Sequence, residues 1–356
     1  MIGVKERAES GHTRGYSRPG LSSHHFGEDF STPAGAAVAR KWACVSDPGP
    51  EEAHTGDEIA RELQNLRNHV REGRFQRSLA LLVCGASLVS GLEVAYEHYR
   101  GSYSQRIMYT PVALSSVLCG AALWGFFSRA AAQSVLRLVS AVTLADAVAG
   151  FGFHVRGIAR KPGGWGLPLT NVIMGPPIFA PLLFGTAAYL GLIASFLRRE
   201  GSAAETAPAP AGPVNELLTI EQDIREGRFQ RHMLLATALS AALSGSEAWY
   251  SHEKSNFRYA VQWLPVILAP LLAVTSVAAM SRPRLAATGV PLLASAALAV
   301  AGTGFFYHAR GIVRRPGGTR YLLYNVMYGP PIFAPLLFGA AGVLGLLASQ
   351  LRRCSQ

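Results

Sequence analysis

Charge is scarce in this chain. Asp, Glu, Lys and Arg make up 15% of its residues, against roughly 25% in ordinary soluble domains, and they stand outside long apolar runs. HExxH, HxxxH and CxxC patterns are absent, so none of the common zinc or dithiol signatures applies. The four cysteines (Cys44, Cys84, Cys119, Cys354) lack metal-ligand spacing. Cys84 and Cys119 lie inside apolar runs, where cysteine behaves as a small hydrophobe, so neither a disulfide framework nor a redox motif is expected. The first apolar run begins near Ser78, too far along for a signal peptide. The formal net charge of +11 would suit nucleic acid, yet the arginines gather at the ends of apolar segments, as in Arg71, Arg74 and Arg77 or Arg198 and Arg199. Lipid headgroups and membrane topology explain that placement better, and no nucleic-acid partner is expected.

What the chain does have is itself, twice. REGRFQR at 71–77 recurs at 225–231, and FHVRGIARKPGG at 153–164 is answered by YHARGIVRRPGG at 307–318. NVIMGPPIFAPLLFG at 171–185 returns as NVMYGPPIFAPLLFG at 325–339, and GLIASFLRR at 191–199 as GLLASQLRR at 345–353. One offset of 154 residues relates every pair, the mark of a tandem duplication. The domain reading is a disordered segment at 1–55, repeat one at 56–200, an Ala/Pro linker at 201–213 and repeat two at 214–356. Each repeat opens on a polar stretch suited to the membrane surface.

About 20 apolar residues cross a bilayer as a helix. Repeat one offers runs at 78–98, 109–128, 134–155 and 175–197, and repeat two at 232–252, 263–281, 288–309 and 329–351. The fold class expected is all-α, a polytopic membrane protein of about eight transmembrane helices in two parallel four-helix repeats. Lys and Arg near the span ends favour both termini in the cytoplasm, as for a bacterial inner-membrane protein, although the opposite loops carry almost as many.

Polar residues recur inside this apolar frame. GLEVAYEH at 91–98 and GSEAWYSH at 245–252 share Gly91/Gly245, Glu93/Glu247, Tyr96/Tyr250 and His98/His252. The third span of each repeat ends with His154 and Arg156, or His308 and Arg310. The chain returns through Asn171 or Asn325 and a Gly-Pro-Pro entry. An ionisable group at membrane depth is costly, which makes Glu93 and Glu247 candidates for function. In copy two, Val300 stands at the position of mid-span Asp146.

Two imidazoles and a carboxylate can bind a transition metal. His98 with His154, and His252 with His308, could instead be paired axial ligands of haem, with Gly91 and Gly150 making room. Glu93 and Glu247 would join the imidazoles at a metal, and Tyr96, Arg156, Asn171, Tyr250, Arg310 and Asn325 would support the site. Five residues separate Glu93 from His98, about 140° around a helix, so one ion cannot face both without local unwinding. The bland readings are interfacial anchoring by Tyr and His, helix capping by Arg156 and a Glu93–Arg156 ion pair. The function expected is a metal- or haem-binding redox or anchor subunit in contact with membrane lipid and a redox partner. The alternatives are a proton-coupled or anion transporter, and a non-catalytic anchor for a soluble partner.

Overall fold

The computed structural model describes residues 50–201 and 215–353, with side chains from 58 and from 220 onward. Apart from the helix that begins at Pro50 and from Gly201, the segments 1–55 and 201–213 lie outside the described residues. Two compact units divide the chain, Met1–Ile59 and Ala60–Gln356. All described regular structure is helical. In the first half the helices are α1 (Pro50–Arg71), α2 (Gln76–Arg100), α3 (Thr110–Phe127), α4 (Arg129–Ala159), α5 (Pro168–Ile173) and α6 (Ala180–Phe196). The second half runs in the same order: α7 (Asn215–Arg225), α8 (Gln230–Glu253), α9 (Trp263–Ala279), α10 (Pro283–Val313), α11 (Leu322–Met327) and α12 (Ala334–Gln350).

Five helices are long and apolar enough to cross a membrane: α2, α3 with the turn before it, α4, α9 with the turn before it, and α10. Large apolar side chains point outward along them, among them Leu138, Val148, Val274 and Leu292, the last 72% exposed. An exterior of that kind is matched to lipid, not to water. Expected spans 175–197 and 329–351 come out shorter, because α6 and α12 start only at Ala180 and Ala334. The Gly-Pro-Pro entries stay non-helical: proline lacks the N–H a helix interior needs and pushes the preceding residue out of the helical region. The apolar helices that result have 17 residues each.

Small residues let the helices close on one another, as in membrane bundles. A Cβ at Gly91 would overlap Ser115 of α3, and one at Gly150 would meet Pro181 of α6 at 3.2 Å. Gly245 and Gly304 pack the same way against Ala269 and Pro335. The main core draws on both halves, including Phe75, Leu118 and Leu190 with Phe229, Leu234 and Leu344. A disulfide joins Cys84 on α2 to Cys119 on α3, which corrects the expectation of two inert apolar cysteines. Their helices pack with these residues face to face, a neighbourhood the linear spacing does not reveal.

The two REGR turns abut where the halves meet. Gly73 and Gly227 have φ of +67° and +71°, the left-handed region where glycine is favoured. A Cβ on Gly73 would stand 2.5 Å from the Arg225 carbonyl oxygen, and one on Gly227 would stand 2.6 Å from that of Arg71. The Arg198 N–H donates to the Gly73 carbonyl at 3.0 Å, and the Arg352 N–H donates to Gly227 at 2.9 Å.

Candidate functional site

Each fourth helix starts without a side-chain cap of its own. Its first N–H groups are orphan donors at the positive end of the helix, and a carboxylate is the natural acceptor. That carboxylate comes from the opposite half. Glu247 of α8 accepts the Phe179 N–H at 2.7 Å, at the start of α6. Glu93 of α2 takes the matching place beside the Phe333 N–H, at the start of α12. Tyr96 reinforces the second contact by donating its hydroxyl to the Gly329 carbonyl at 3.0 Å. Tyr250 is buried as well, with its hydroxyl unpaired. The Glu of each half therefore meets the entry segment of the other, and Tyr96 alone of the two tyrosines adds a hydrogen bond to it.

The histidines hold the same segments from within their own half. His154 Nδ1 lies 2.6 Å from the Pro177 carbonyl, and His308 Nδ1 lies 2.5 Å from that of Pro331. His98 Nδ1 meets the Met108 carbonyl at 2.6 Å. His252 sits beside Gln262, the matched position, with Nδ1 unpaired. A carbonyl only accepts, so Nδ1 carries the proton in the three paired rings, and in the neutral ring Nε2 keeps its lone pair. Within each half the two imidazoles stand near the C-terminal ends of the first and third helices, His98 with His154 on α2 and α4, and His252 with His308 on α8 and α10.

Asn171 and Asn325 are buried and serve the Pro-Gly-Gly turns. Asn171 Nδ2 donates to the carbonyls of Pro162 and Gly164 at 3.1 and 2.8 Å. Asn325 repeats this on Pro316 and Gly318 at 3.3 and 2.9 Å. Arg156 and Arg310 are exposed, and no ion pair joins Glu93 to Arg156 among the described residues. The structure thus brings carboxylate to helix start between halves, and holds the imidazoles of each half on backbone carbonyls or beside them. Among the described residues no three His, Cys, Asp or Glu side chains come together as a metal cage.

Two features of the site escaped the sequence reading. His98 stands edge-on to Tyr103, which stacks on Tyr109 at 4.2 Å. His252 stands edge-on to Phe257, which stacks on Trp263 at 4.0 Å. The aromatic pair is kept in kind and changed in identity, so a search for identical residues passes over it. The other feature belongs to the first half alone: Thr110 donates to Asp146 at 2.8 Å, and that carboxylate acts on His98. Leu264 and Val300 stand at the matched positions.

No protein-family model, curated protein or solved structure matches the chain.

Proposed function

We propose that the protein is an integral membrane subunit of eight spans in two parallel four-helix halves, and that each half binds a redox metal through two imidazoles. The subunit then carries electrons or anchors a partner that does. The observation that carries this reading is the backbone carbonyl oxygen set against Nδ1. With Nδ1–H held by a backbone carbonyl, as at His98, His154 and His308, Nε2 remains a free donor to a metal, and such a bond also orients and enriches a ligating ring.

The Glu247 carboxylate is engaged at a helix start and Glu93 stands beside another, so the ligand set proposed is His98 with His154 and His252 with His308. Two protein ligands are too few for a structural zinc site, which takes four. They suit haem iron, whose other four ligands belong to the porphyrin, or copper(I), for which imidazole is a good ligand. The fit favours the bare metal. Gly91 and Gly150, the positions that would open a slot for porphyrin, are closed by Ser115 and Pro181. Metal analysis and a visible spectrum of the purified protein test the reading. A metal-bound protein without a Soret band supports copper, a reducible Soret band supports haem, and a colourless, metal-free protein that takes up neither defeats it.

The anchor reading has an observation of its own. The return segments carry exposed apolar side chains, with Trp165 and Leu169 in the first half and Leu323 and Tyr324 in the second, Leu323 at 77%. A soluble partner docking there would co-purify with the metal-free protein and be lost on Leu169→Ser with Leu323→Ser.

A further inference from the structure

At the opposite end of the helices, where α4 begins and α6 ends, lies a small groove of about 60 Å³. Its polar lining is Arg129, Gln133, Arg198, Gln222, Arg225 and Glu226, and Phe196 and Leu197 give it an apolar edge. Three guanidinium groups against one carboxylate leave it net positive. Part of the polar lining is already engaged. Gln222 donates to Glu226 at 2.9 Å, Arg225 pairs with Glu221 at 2.6 Å, and Arg198 donates to the carbonyls of Glu72 and Arg225. Arg129 is exposed at the rim. Burial lowers the pKa of Arg198, and the nearby Arg74 adds repulsion, with Glu226 and Glu72 acting the other way. An arginine in that position gains from a bound anion.

Two further observations fix the setting. Trp124 and Phe127, just ahead of Arg129 in the chain, are 58% and 74% exposed, and exposed aromatics at a span end mark the headgroup level. Gln133 sits in a π-helical turn, Ala132–Leu136, inside α4, a distortion that recurs at functional sites. In the second half Arg352 keeps the place of Arg198, but Ala278 and Ser281 stand where the first half has Trp124 and Phe127. Pro283 and Ala287 replace Arg129 and Gln133, and its helix breaks at Thr288 in place of the π turn.

We propose that this groove binds a phosphate group, one per chain, with Arg129 and Gln133 at its mouth and Arg198 at its floor. Guanidinium groups are matched to phosphate oxygens by charge and by fork geometry. The phosphate can belong to an anionic phospholipid headgroup or be free in solution. The proposal rests on the membrane reading but not on the metal sites, and its stoichiometry of one sets it apart from their two.

Native mass spectrometry of the full chain in detergent tests it, with dioleoyl phosphatidylglycerol titrated against dioleoyl phosphatidylcholine, and inorganic pyrophosphate as competitor. One phosphatidylglycerol is expected to bind more tightly than phosphatidylcholine. Loss of one arginine charge at a membrane surface weakens such binding roughly fivefold, so Arg129→Gln should show that loss and Gln133→Glu a larger one. Both variants lie at exposed or half-buried positions, where folding tolerates them. Displacement by pyrophosphate assigns the site to free phosphate, and its failure to displace assigns it to lipid. Equal affinity for the two lipids, or binding unchanged in both variants, overturns the proposal.

Discussion

The two halves of the molecule are the same machine with different accessories. Both keep the Glu that meets the other half's fourth helix, the two histidines, the aromatic pair beside the first of them and the Asn that ties the Pro-Gly-Gly turn. Among the described residues only the first has the Cys84–Cys119 bond and the Thr110–Asp146 pair, and it alone supplies Arg129 and Gln133 to the basic groove, where Ala238, Ala273, Leu264, Val300, Pro283 and Ala287 stand at matched positions of the second. The shared set answers backbone groups that would otherwise be stranded in an apolar setting, where an unmade hydrogen bond is expensive. Accessories can be lost singly, because no orphan backbone group depends on them.

The sharpest way to break the symmetry is at the REGR turns. Gly73→Val or Gly227→Val forces a side chain into the left-handed region and onto the other half's backbone. Strained backbone of that kind costs of order 1–3 kcal/mol before the overlap is counted. Each variant is expected to lose most folded protein in detergent, seen as a collapse of the monodisperse peak on size exclusion. Because the contact is reciprocal, the two should fail equally.

Glu93→Ala and Glu247→Ala come next. Removing a cap costs about 0.5–2 kcal/mol, and the stranded N–H groups lie in a poorly solvated place. Thermal unfolding in detergent should fall by a similar amount for both, with the Gln variants retaining most of the stability. A loss confined to one variant would show that the halves do not use their carboxylates alike.

Asn171→Ala and Asn325→Ala sharpen the comparison locally. Each removes two hydrogen bonds to turn carbonyls, worth about 0.5–1.5 kcal/mol apiece. Hydrogen exchange should quicken at 160–170 in the first variant and at 314–324 in the second, with the other turn unchanged. Smallest of all is the conversion of first-half pattern to second, Asp146→Val with Thr110→Leu. It removes one hydrogen-bonded pair and supplies apolar side chains already tolerated at the matched positions, so stability should move by less than about 1 kcal/mol.

The duplication and the apolar runs were legible because identity at a fixed offset and length of an apolar run are both linear properties. The partner of Glu93 was not. A repeat says which residues are equivalent, but is silent on whether an equivalent contact closes within a copy or across to the other, and here it crosses. The late start of α6 and α12 follows from Pro176-Pro177 and Pro330-Pro331, because proline disfavours the helical region for the residue before it, an effect that the length of the apolar run hides. Gly91 and Gly150 were read as space for a cofactor, whereas a glycine in an apolar helix more often admits a neighbouring helix. Tyr103 and Tyr109 were hidden by substitution with Phe257 and Trp263.

The central claim is that each half holds its own pair of metal-binding imidazoles, and metal content by mass spectrometry after reconstitution with copper(I) or haem tests it most directly. Wild type is expected to bind two equivalents. His154→Ala and His308→Ala should each bind one, and the double variant none, while Glu247→Gln should keep both because its carboxylate serves a helix start. Wild type that binds no metal or haem, or a single His variant that loses both equivalents, would contradict the account.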